Sequence, residues 1–377
     1  MFFIAWRHLL KERTRLALTL VGVTFAVVLM FFDVGAYLGF VRASSVLIDH
    51  ANADIWVTRE NNRNFDSSRP FPERKLWKVR QVRGVARAEP VAKGWAQMKL
   101  NNGSTETVML VGLDPDAGLG LPWKLGEGVL RSLRTDNTII VDESSLAKLG
   151  GVAVGDAVEV VDTTVTVVGI CEDVKSFTTY PIIFANYETA KRLSGVYRLS
   201  SADQTTFILV SVDPSESVES VVSRLRAIEG IDVYARDEFS RRTRDYWIVQ
   251  TGMGVGFGLT ALLGFLVGMV IVGQTIYSST IEHLREYGTL KAIGATGREI
   301  VALIAYQAVV YAVLGYLVGV AIAMSARQGY ESLGLKLVTT PGMGVGMFVV
   351  TVAMCLGASI VSVRRALRVD PALVFRG

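Results

Sequence analysis

Four long uncharged stretches constrain this chain more than any other feature. No charged residue occurs between Arg15 and Asp33, and residues 246–281, 300–326 and 337–363 carry none at all. About 20 apolar residues in a helix cross the hydrocarbon core of a bilayer, which is roughly 30 Å thick. The sequence therefore predicts a membrane protein with four transmembrane helices, at residues 16–40, 252–276, 300–325 and 343–363.

Basic residues concentrate in three short segments that share one side of such a protein. The residues before the first span, the connection between spans two and three, and the tail together hold 11 Lys or Arg against five acids. Short loops rich in Lys and Arg face the cytoplasm, so both termini are predicted to be cytoplasmic. The formal charge of +4 follows from these segments and indicates membrane topology, not a nucleic-acid partner.

The N-terminal region, residues 1–45, is predicted to hold an interfacial helix followed by the first span. Aromatic and aliphatic residues from Phe2 to Leu10 alternate with Arg7, His8 and Lys11 at helical spacing. A short helix in the interface and an extension of span one explain this pattern equally well. The apolar run is too long for a cleaved signal peptide, which favours a retained anchor.

Residues 46–245 separate the first two spans and are long enough for an independent core of their own. Residues 158–170 are rich in β-branched residues around Asp162, which predicts a hairpin, and Asn102-Gly103 predicts a second. Further strands are expected at 138–141 and 207–212, a helix at 218–228 and a loop at 61–72. We therefore expect a large α+β extracytoplasmic domain inserted between helices 1 and 2.

The sequence offers no set of residues for catalysis or metal binding. His50 is the one histidine of the inserted domain, and Cys171 and Cys355 lie far apart in the chain. Residues 139–143 imitate a Walker B strand, but the chain lacks a Gly-Lys dipeptide and hence a P-loop lysine. A membrane-anchored enzyme with its active site in residues 46–245 is therefore disfavoured.

Small residues at four-residue spacing recur in the apolar spans. Gly264 and Gly268 form one such pair, and Gly315 and Gly319 form another. Small residues let helix backbones approach closely in lipid, where packing replaces the hydrophobic driving force. These pairs predict contacts between spans.

The connection between spans two and three, residues 282–299, is the most informative segment. Four apolar residues recur every three positions and predict a short helix with one apolar stripe: Leu284, Tyr287, Leu290 and Ile293. Gly294 and Gly297 mark its end, and Thr296 with Glu299 has the spacing of a capping box. The apolar stripe must face either lipid headgroups or a partner protein, and the residues alone leave both open.

Three strings in the chain resemble a known family. The string EYGTLKAIGA at residues 286–295 is similar to the coupling-helix signature of MacB/FtsX-like ABC transporter permeases. The opening AWRHLLKERTRLALTLVGVTFAV resembles the first span of that family, and RRALRVDPALVFR its basic ending. Tyr246-Trp247 and the string EHLREY are closer to DevC-type permease subunits, which lack a fused ATPase.

This resemblance implies the permease subunit of an ABC export system in a bacterial inner membrane. The subunit would be a homodimer that works by mechanotransmission on lipid-like, peptide or drug-like cargo, with residues 246–377 forming spans two to four. It would be no enzyme and hold no cofactor, because ATP and Mg²⁺ would bind a separate ABC ATPase. A periplasmic adaptor, an outer-membrane channel and membrane lipids are further implied partners. The alternative is a non-transporting FtsX-like regulator of a cell-wall hydrolase.

The resemblance also assigns roles within the predicted coupling helix, residues 282–295. Tyr287 and Leu290 are expected to fill a groove of the ATPase, with Glu286 and Lys291 forming ion pairs at its rim. The residues predicted to couple to the ATPase are Glu286, Tyr287, Gly288, Leu290, Lys291, Ala292 and Gly294.

Overall fold

The computed structural model describes residues 13–174, 177, 180–194, 203–332 and 337–368. These residues form two compact units. The helical unit contains the described residues up to Gly39 and from Met253 onward, and the inserted unit is Phe40–Gly252. The predicted interfacial helix before Arg13 and most of the basic tail lie outside the described residues.

The helices and strands follow one another along the chain in a mixed order. The α-helices of the described residues are α1 (Arg13–Ala43), α2 (Val46–Asp49), α3 (Lys75–Arg80), α4 (Tyr187–Leu193), α5 (Val218–Leu225), α6 (Arg236–Asp245), α7 (Met253–Glu282), α8 (Leu284–Ala292), α9 (Gly297–Ser332) and α10 (Pro341–Leu367). A single π-helical turn, Tyr246–Gln250, stands between α6 and α7. The strands are β1 (Ile55–Arg59), β2 (Phe71–Pro72), β3 (Val85–Lys99), β4 (Thr105–Leu113), β5 (Leu125–Gly128), β6 (Thr138–Asp142), β7 (Ala157–Val160), β8 (Thr163–Cys171), β9 (Ile182–Asn186), β10 (Gln204–Thr205), β11 (Phe207–Val212) and β12 (Ile231–Ala235).

Four helices of the helical unit are long and apolar enough to cross a membrane. They are the segments Leu16–Ala43 of α1, Met253–Glu282, Gly297–Gly329 of α9 and Pro341–Leu367. Each contains one of the four predicted windows except for single residues at a boundary, so the prediction of four spans is confirmed. Contacts inside the chain bury only part of the surface of these helices. Lipid can solvate the rest of this surface because the helices are apolar on most faces.

Glycines let these spans approach one another closely. A Cβ atom added at Gly268 of α7 would lie 2.5 Å from Cβ of Ala26 in α1. A Cβ atom added at Gly319 of α9 would lie 2.7 Å from Cγ1 of Val27, also in α1. Real Cβ atoms do not come this close, so α1 packs against both helices only because glycine occupies these positions. The contacts predicted from the glycine spacing are confirmed.

The inserted unit is built on one ten-stranded sheet. Its strand order is β12, β1, β11, β3, β4, β9, β6, β8 and β5, and β7 pairs with β3 and β8. The 15-residue strand β3 joins two parts of the sheet: residues 85–91 pair with β11, and residues 92–99 pair with β4. Helices α3 and α5 bury Leu76, Val79 and Leu225 in the core of the first part.

Both hairpins expected from the sequence are present. Strands β7 and β8 pair antiparallel around Val161 and Asp162, which both have positive φ. Positive φ at two central residues matches the twist of a two-residue hairpin. Strands β3 and β4 pair antiparallel across Asn102-Gly103. The predicted strands at 138–141 and 207–212 are β6 and β11, and the predicted helix at 218–228 is α5.

A cluster of aromatic rings packs beneath helix α6. Trp56 of β1 is nearly fully buried, and its ring centroid lies 5.3 Å from that of Phe207 and 5.5 Å from that of Phe239. Phe65 stacks on Phe207 at 5.2 Å. Aromatic pairs at these separations stabilise a core beyond the area they bury. The cluster fixes the loop that contains Phe65 against strand β1 and helix α6.

Candidate functional site

The connection between α7 and α9 is a short helix held at both ends. Helix α8 begins after His283, whose carbonyl oxygen accepts a hydrogen bond from the backbone N–H of Tyr287 at 3.0 Å. After α8, Gly294 has a φ of +104°, and the N–H of Ala295 donates to the carbonyl of Leu290 at 2.9 Å. A left-handed residue after the last turn is a common helix end, and glycine adopts it without strain.

One of the two bonds of the predicted capping box is present at the start of α9. The backbone N–H of Thr296 donates to Oε2 of Glu299 at 2.7 Å, and its hydroxyl donates to the same oxygen at 3.0 Å. A glutamate three residues into a helix thereby satisfies a backbone donor at the helix start. The turn between α8 and α9 is therefore fixed by side-chain hydrogen bonds as well as by glycine.

The structure corrects the expected position of Tyr287. Its side chain is 1% exposed and belongs to the core of the helical unit, together with Ile276, Ile300 and Ala366. Gly288 is also buried, and Leu290 packs half-buried against the same core. Tyr287 therefore anchors α8 to its own chain and does not point outward to fill a groove of another protein.

Helical geometry explains why the apolar stripe divides. A step of three residues falls about 60° short of a full turn, because an α-helix has 3.6 residues per turn. With Tyr287 pointing inward, Leu284 and Leu290 lie about 60° to either side and are half-buried. Ile293 lies a further 60° round and is 80% exposed. The spacing therefore describes a band that winds around the helix, with its last member on the outside.

The outer surface of α8 carries charged, polar and apolar side chains together. We define the docking face as the exposed residues of α8 together with the exposed residues that flank it, Glu282 at the end of α7 and Ile293 directly after α8: Glu282, Arg285, Glu286, Thr289, Ala292 and Ile293. On this surface the exposed side chain of Ile293 lies beside charged residues, and the other side of the helix is anchored to the core. Such a surface is suited to binding a protein partner. Apolar groups at such a surface supply affinity, and the surrounding charges supply register.

Two charged residues predicted to pair with a partner have contacts inside the chain. The ammonium group of Lys291 donates to the backbone carbonyl of Leu367 at 2.7 Å, at the end of α10. A lysine at this position stabilises carbonyls that the helix itself leaves unpaired. The Glu286 carboxylate lies 3.1 Å from Nδ1 of His283, and its side chain stays 53% exposed. Lys291 thus ties α8 to α10, whereas Glu286 remains on the docking face.

The described residues offer little for metal or nucleophilic chemistry. Among them, no three His, Cys, Asp or Glu side chains are grouped closely enough to hold a metal ion. Cys171 and Cys355 are both buried, and Asp142 of the Walker B-like string is buried in strand β6. The docking face is therefore the most distinctive candidate site among the described residues, and its chemistry is that of recognition.

Comparison with known proteins decides the family. The MacB-like periplasmic core domain family matches residues 16–228, more than half of the chain. The FtsX-like permease C-terminal family matches residues 258–371, which include the docking face. The chain belongs to the MacB/FtsX-like permease family. It is an ABC transporter permease of this type, which implies an ATPase partner.

Individual proteins are similar to this chain over different parts of its length. An uncharacterised ABC transporter permease of Mycobacterium tuberculosis is 28% identical over 100% of both chains. The macrolide export ATP-binding/permease protein MacB of Rhodospirillum rubrum is 28% identical over 48% of this chain and 27% of its own length. The periplasmic region of MacB from Actinobacillus actinomycetemcomitans covers 51% of this chain and 92% of its own, with 12% identity and a TM-score of 0.39. The narrower likeness to DevC-type permeases stays a prediction.

Proposed function

We propose that this permease is the membrane subunit of an export system and that its docking face binds a separate ABC ATPase. The observation that carries this proposal is the anchoring of α8 by Tyr287, which leaves Ile293 and Glu286 exposed on the opposite side. A helix fixed to its own unit on one side transmits force applied to the other. Closure of the ATPase would then move α7 and α9, which flank α8.

The proposal extends to the assembly and the cargo. In the proposed assembly, two copies of the permease form a homodimer that binds two ATPases. The inserted units lie outside the cytoplasm, and both termini of each chain lie inside it. Many apolar side chains of α7 are exposed in the single chain, including Val255, Leu259, Leu263 and Val270. A second copy and membrane lipids would share this surface. The proposed cargo is lipid-like, peptide or drug-like, and an adaptor and an outer-membrane channel are proposed partners from the family resemblance.

Reconstitution tests the export function against the regulatory alternative. The full chain would be placed in vesicles with its ATPase, and the movement of labelled amphiphilic peptide, lipid and drug probes would be followed with and without ATP. ATP-dependent movement of a probe, lost when the ATPase is inactivated, supports export. ATP-dependent activation of a cell-wall hydrolase bound to the inserted unit, with no probe moved, supports the FtsX-like regulator instead.

A further inference from the structure

The inserted unit contains a polar cleft formed by two adjoining cavities. The cavities have volumes of about 560 and 670 Å³, and Arg63 lines both. Their lining comes from the end of β1, the loop after it, helix α6 and the π-helical turn. We call this the arginine cleft, after its five arginines: Arg59, Arg63, Arg69, Arg241 and Arg242.

Arginines outnumber acids among the residues that line the arginine cleft. The acids of its lining are Glu60, Glu238 and Asp245, and Glu238 is already paired with Arg226 at 3.0 Å. Within the described residues, no carboxylate lies within ion-pair distance of Arg63 or Arg241, and both side chains are exposed. Guanidinium groups without a partner among the described residues are available to an anion from outside.

The loop that carries Arg63 and Arg69 is held in place by buried polar contacts. The indole N–H of Trp247 donates to Oδ2 of Asp66 at 2.9 Å, and the N–H of Phe65 donates to the Thr243 hydroxyl at 3.3 Å. These bonds tie the loop to the π-helical turn and to α6. The cleft is therefore formed before any ligand arrives, which lowers the ordering cost of binding.

A buried lysine holds the same loop from below. The Lys93 ammonium group donates to the backbone carbonyls of Phe65 at 3.0 Å and Asp66 at 2.7 Å. Burial lowers the pKa of Lys93 to about 8, and the nearby charge of Asp66 opposes this shift. Burying a charged group is costly unless it is paired and hydrogen-bonded, as Lys93 is here. Because the Lys93 ammonium group is hydrogen-bonded to two carbonyls of the loop, it stabilises one conformation of the loop backbone.

The arginine cleft includes residues that closely precede a membrane span in the sequence. Tyr246 lines one cavity and Gln250 lines the other, and α7 begins three residues later at Met253. Three residues extend at most about 10 Å. Tyrosine and tryptophan favour the headgroup layer of a membrane, as expected for Tyr246 and Trp247 at this boundary. The chain thus passes from residues that line the cleft into a membrane span within a few positions.

We propose that the arginine cleft binds an anionic phosphate group, as carried by a phospholipid headgroup or by free phosphate. The planar guanidinium fork matches phosphate oxygens with two parallel hydrogen bonds, which makes arginine well suited to this ligand. The lining is charged or polar apart from the ring of Tyr246, so it fits a headgroup and not an acyl chain. This site belongs to the inserted unit and does not depend on the docking face.

Titration of the detergent-purified full chain with short-chain lipids tests the proposal. The probes are dioctanoyl-phosphatidylglycerol, which is anionic, dioctanoyl-phosphatidylcholine, which is zwitterionic, and inorganic phosphate. The wild type is expected to bind the anionic lipid more tightly than the zwitterionic one. The Arg63→Gln/Arg241→Gln double variant is expected to lose at least about tenfold in affinity for the anionic lipid, because the loss of even one charge-assisted bond contributes that much.

The control and the alternative outcomes complete the test. Arg131→Gln removes an exposed arginine of the same unit outside the cleft and should bind like wild type. Inorganic phosphate that binds as tightly as the lipid, with the same loss in the double variant, supports the site and assigns free phosphate as its ligand. Equal binding of both lipids, or wild-type affinity in the double variant, would overturn the proposal. A thermal unfolding scan of each variant checks that the fold is intact.

Discussion

Replacing Ile293 by aspartate is expected to abolish stimulation of the partner ATPase by this permease. Ile293 is 80% exposed and makes no core contact, so the substitution should change the stability of the permease itself by less than about 0.5 kcal/mol. At a docked interface, the same change would bury an unpaired carboxylate in place of an apolar anchor. Loss of one such anchor costs about 2 kcal/mol or more, which reduces binding at least about thirtyfold. ATP hydrolysis by purified ATPase, titrated with reconstituted permease, measures the effect.

Two further variants make this test specific. Val129→Asp introduces the same charge at an aliphatic side chain that is 57% exposed in the inserted unit, and it should stimulate like wild type. Leu290→Asp is a poorer choice than Ile293→Asp, because Leu290 packs against the helical core and its loss would disturb folding as well. Wild-type stimulation by Ile293→Asp would show that this face does not bind the ATPase.

Replacing Gly268 by valine is expected to destabilise the helical unit by about 2 to 3 kcal/mol. An added Cβ would stand 2.5 Å from Cβ of Ala26 and 2.7 Å from Sδ of Met354, on two different helices. The Met354 side chain can move, but Ala26 has no rotamer to change, so helices α1 and α7 must separate. Overpacking of this kind typically costs 1 to 3 kcal/mol. Thermal unfolding of the detergent-solubilised chain, followed by loss of monodisperse protein, measures the difference.

A matched substitution in the same helix separates packing from helix propensity. A Cβ added at Gly256 of α7 meets no atom within 4 Å. Gly256→Val therefore makes the same change in backbone preference without a clash, and its unfolding temperature should stay close to that of wild type. Equal loss of stability in both variants would mean that the close approach of α1 and α7 does not limit stability.

The membrane spans were predictable because lipid imposes a strong and simple requirement. A run of uncharged residues long enough to cross the bilayer is visible without knowledge of any contact, and all four runs became helices. The two hairpins were predictable for a similarly local reason, since Asp162 and Asn102-Gly103 act within their own turns. Local signals of this kind need only the residues beside them.

The pairing of strands that are distant in the chain could not be predicted from local sequence signals. Strand β1 lies between β11 and β12, more than 140 residues away in sequence, and β4 pairs in parallel with β9. These neighbours depend on which apolar faces fit together across the whole unit. The two halves of strand β3 pair in two different parts of the sheet, and no residue at their junction signals this change of partner.

The short helix between spans two and three was predicted from the sequence, but the direction of its apolar residues was predicted incorrectly. The repeat of apolar residues at three-residue intervals suggested one stripe, whereas the winding of the helix turned Tyr287 inward and Ile293 outward. The contact of Lys291 with the end of α10 depends on a residue 76 positions away, which no local pattern reveals. The arginine cleft was missed for the same reason, because its arginines come from two segments that are far apart in the chain.

Coupling through the docking face requires that this face lie in the cytoplasm and bind the ATPase, and cysteine labelling tests both directly. Native Cys171 and Cys355 are fully buried, so a membrane-impermeant maleimide reports on an introduced cysteine. Val249→Cys, at a side chain 70% exposed just before α7, should react in spheroplasts. Ile293→Cys should react only in inverted vesicles, and added ATPase should protect it. Labelling of Ile293→Cys in spheroplasts, or no protection by the ATPase, would contradict the account.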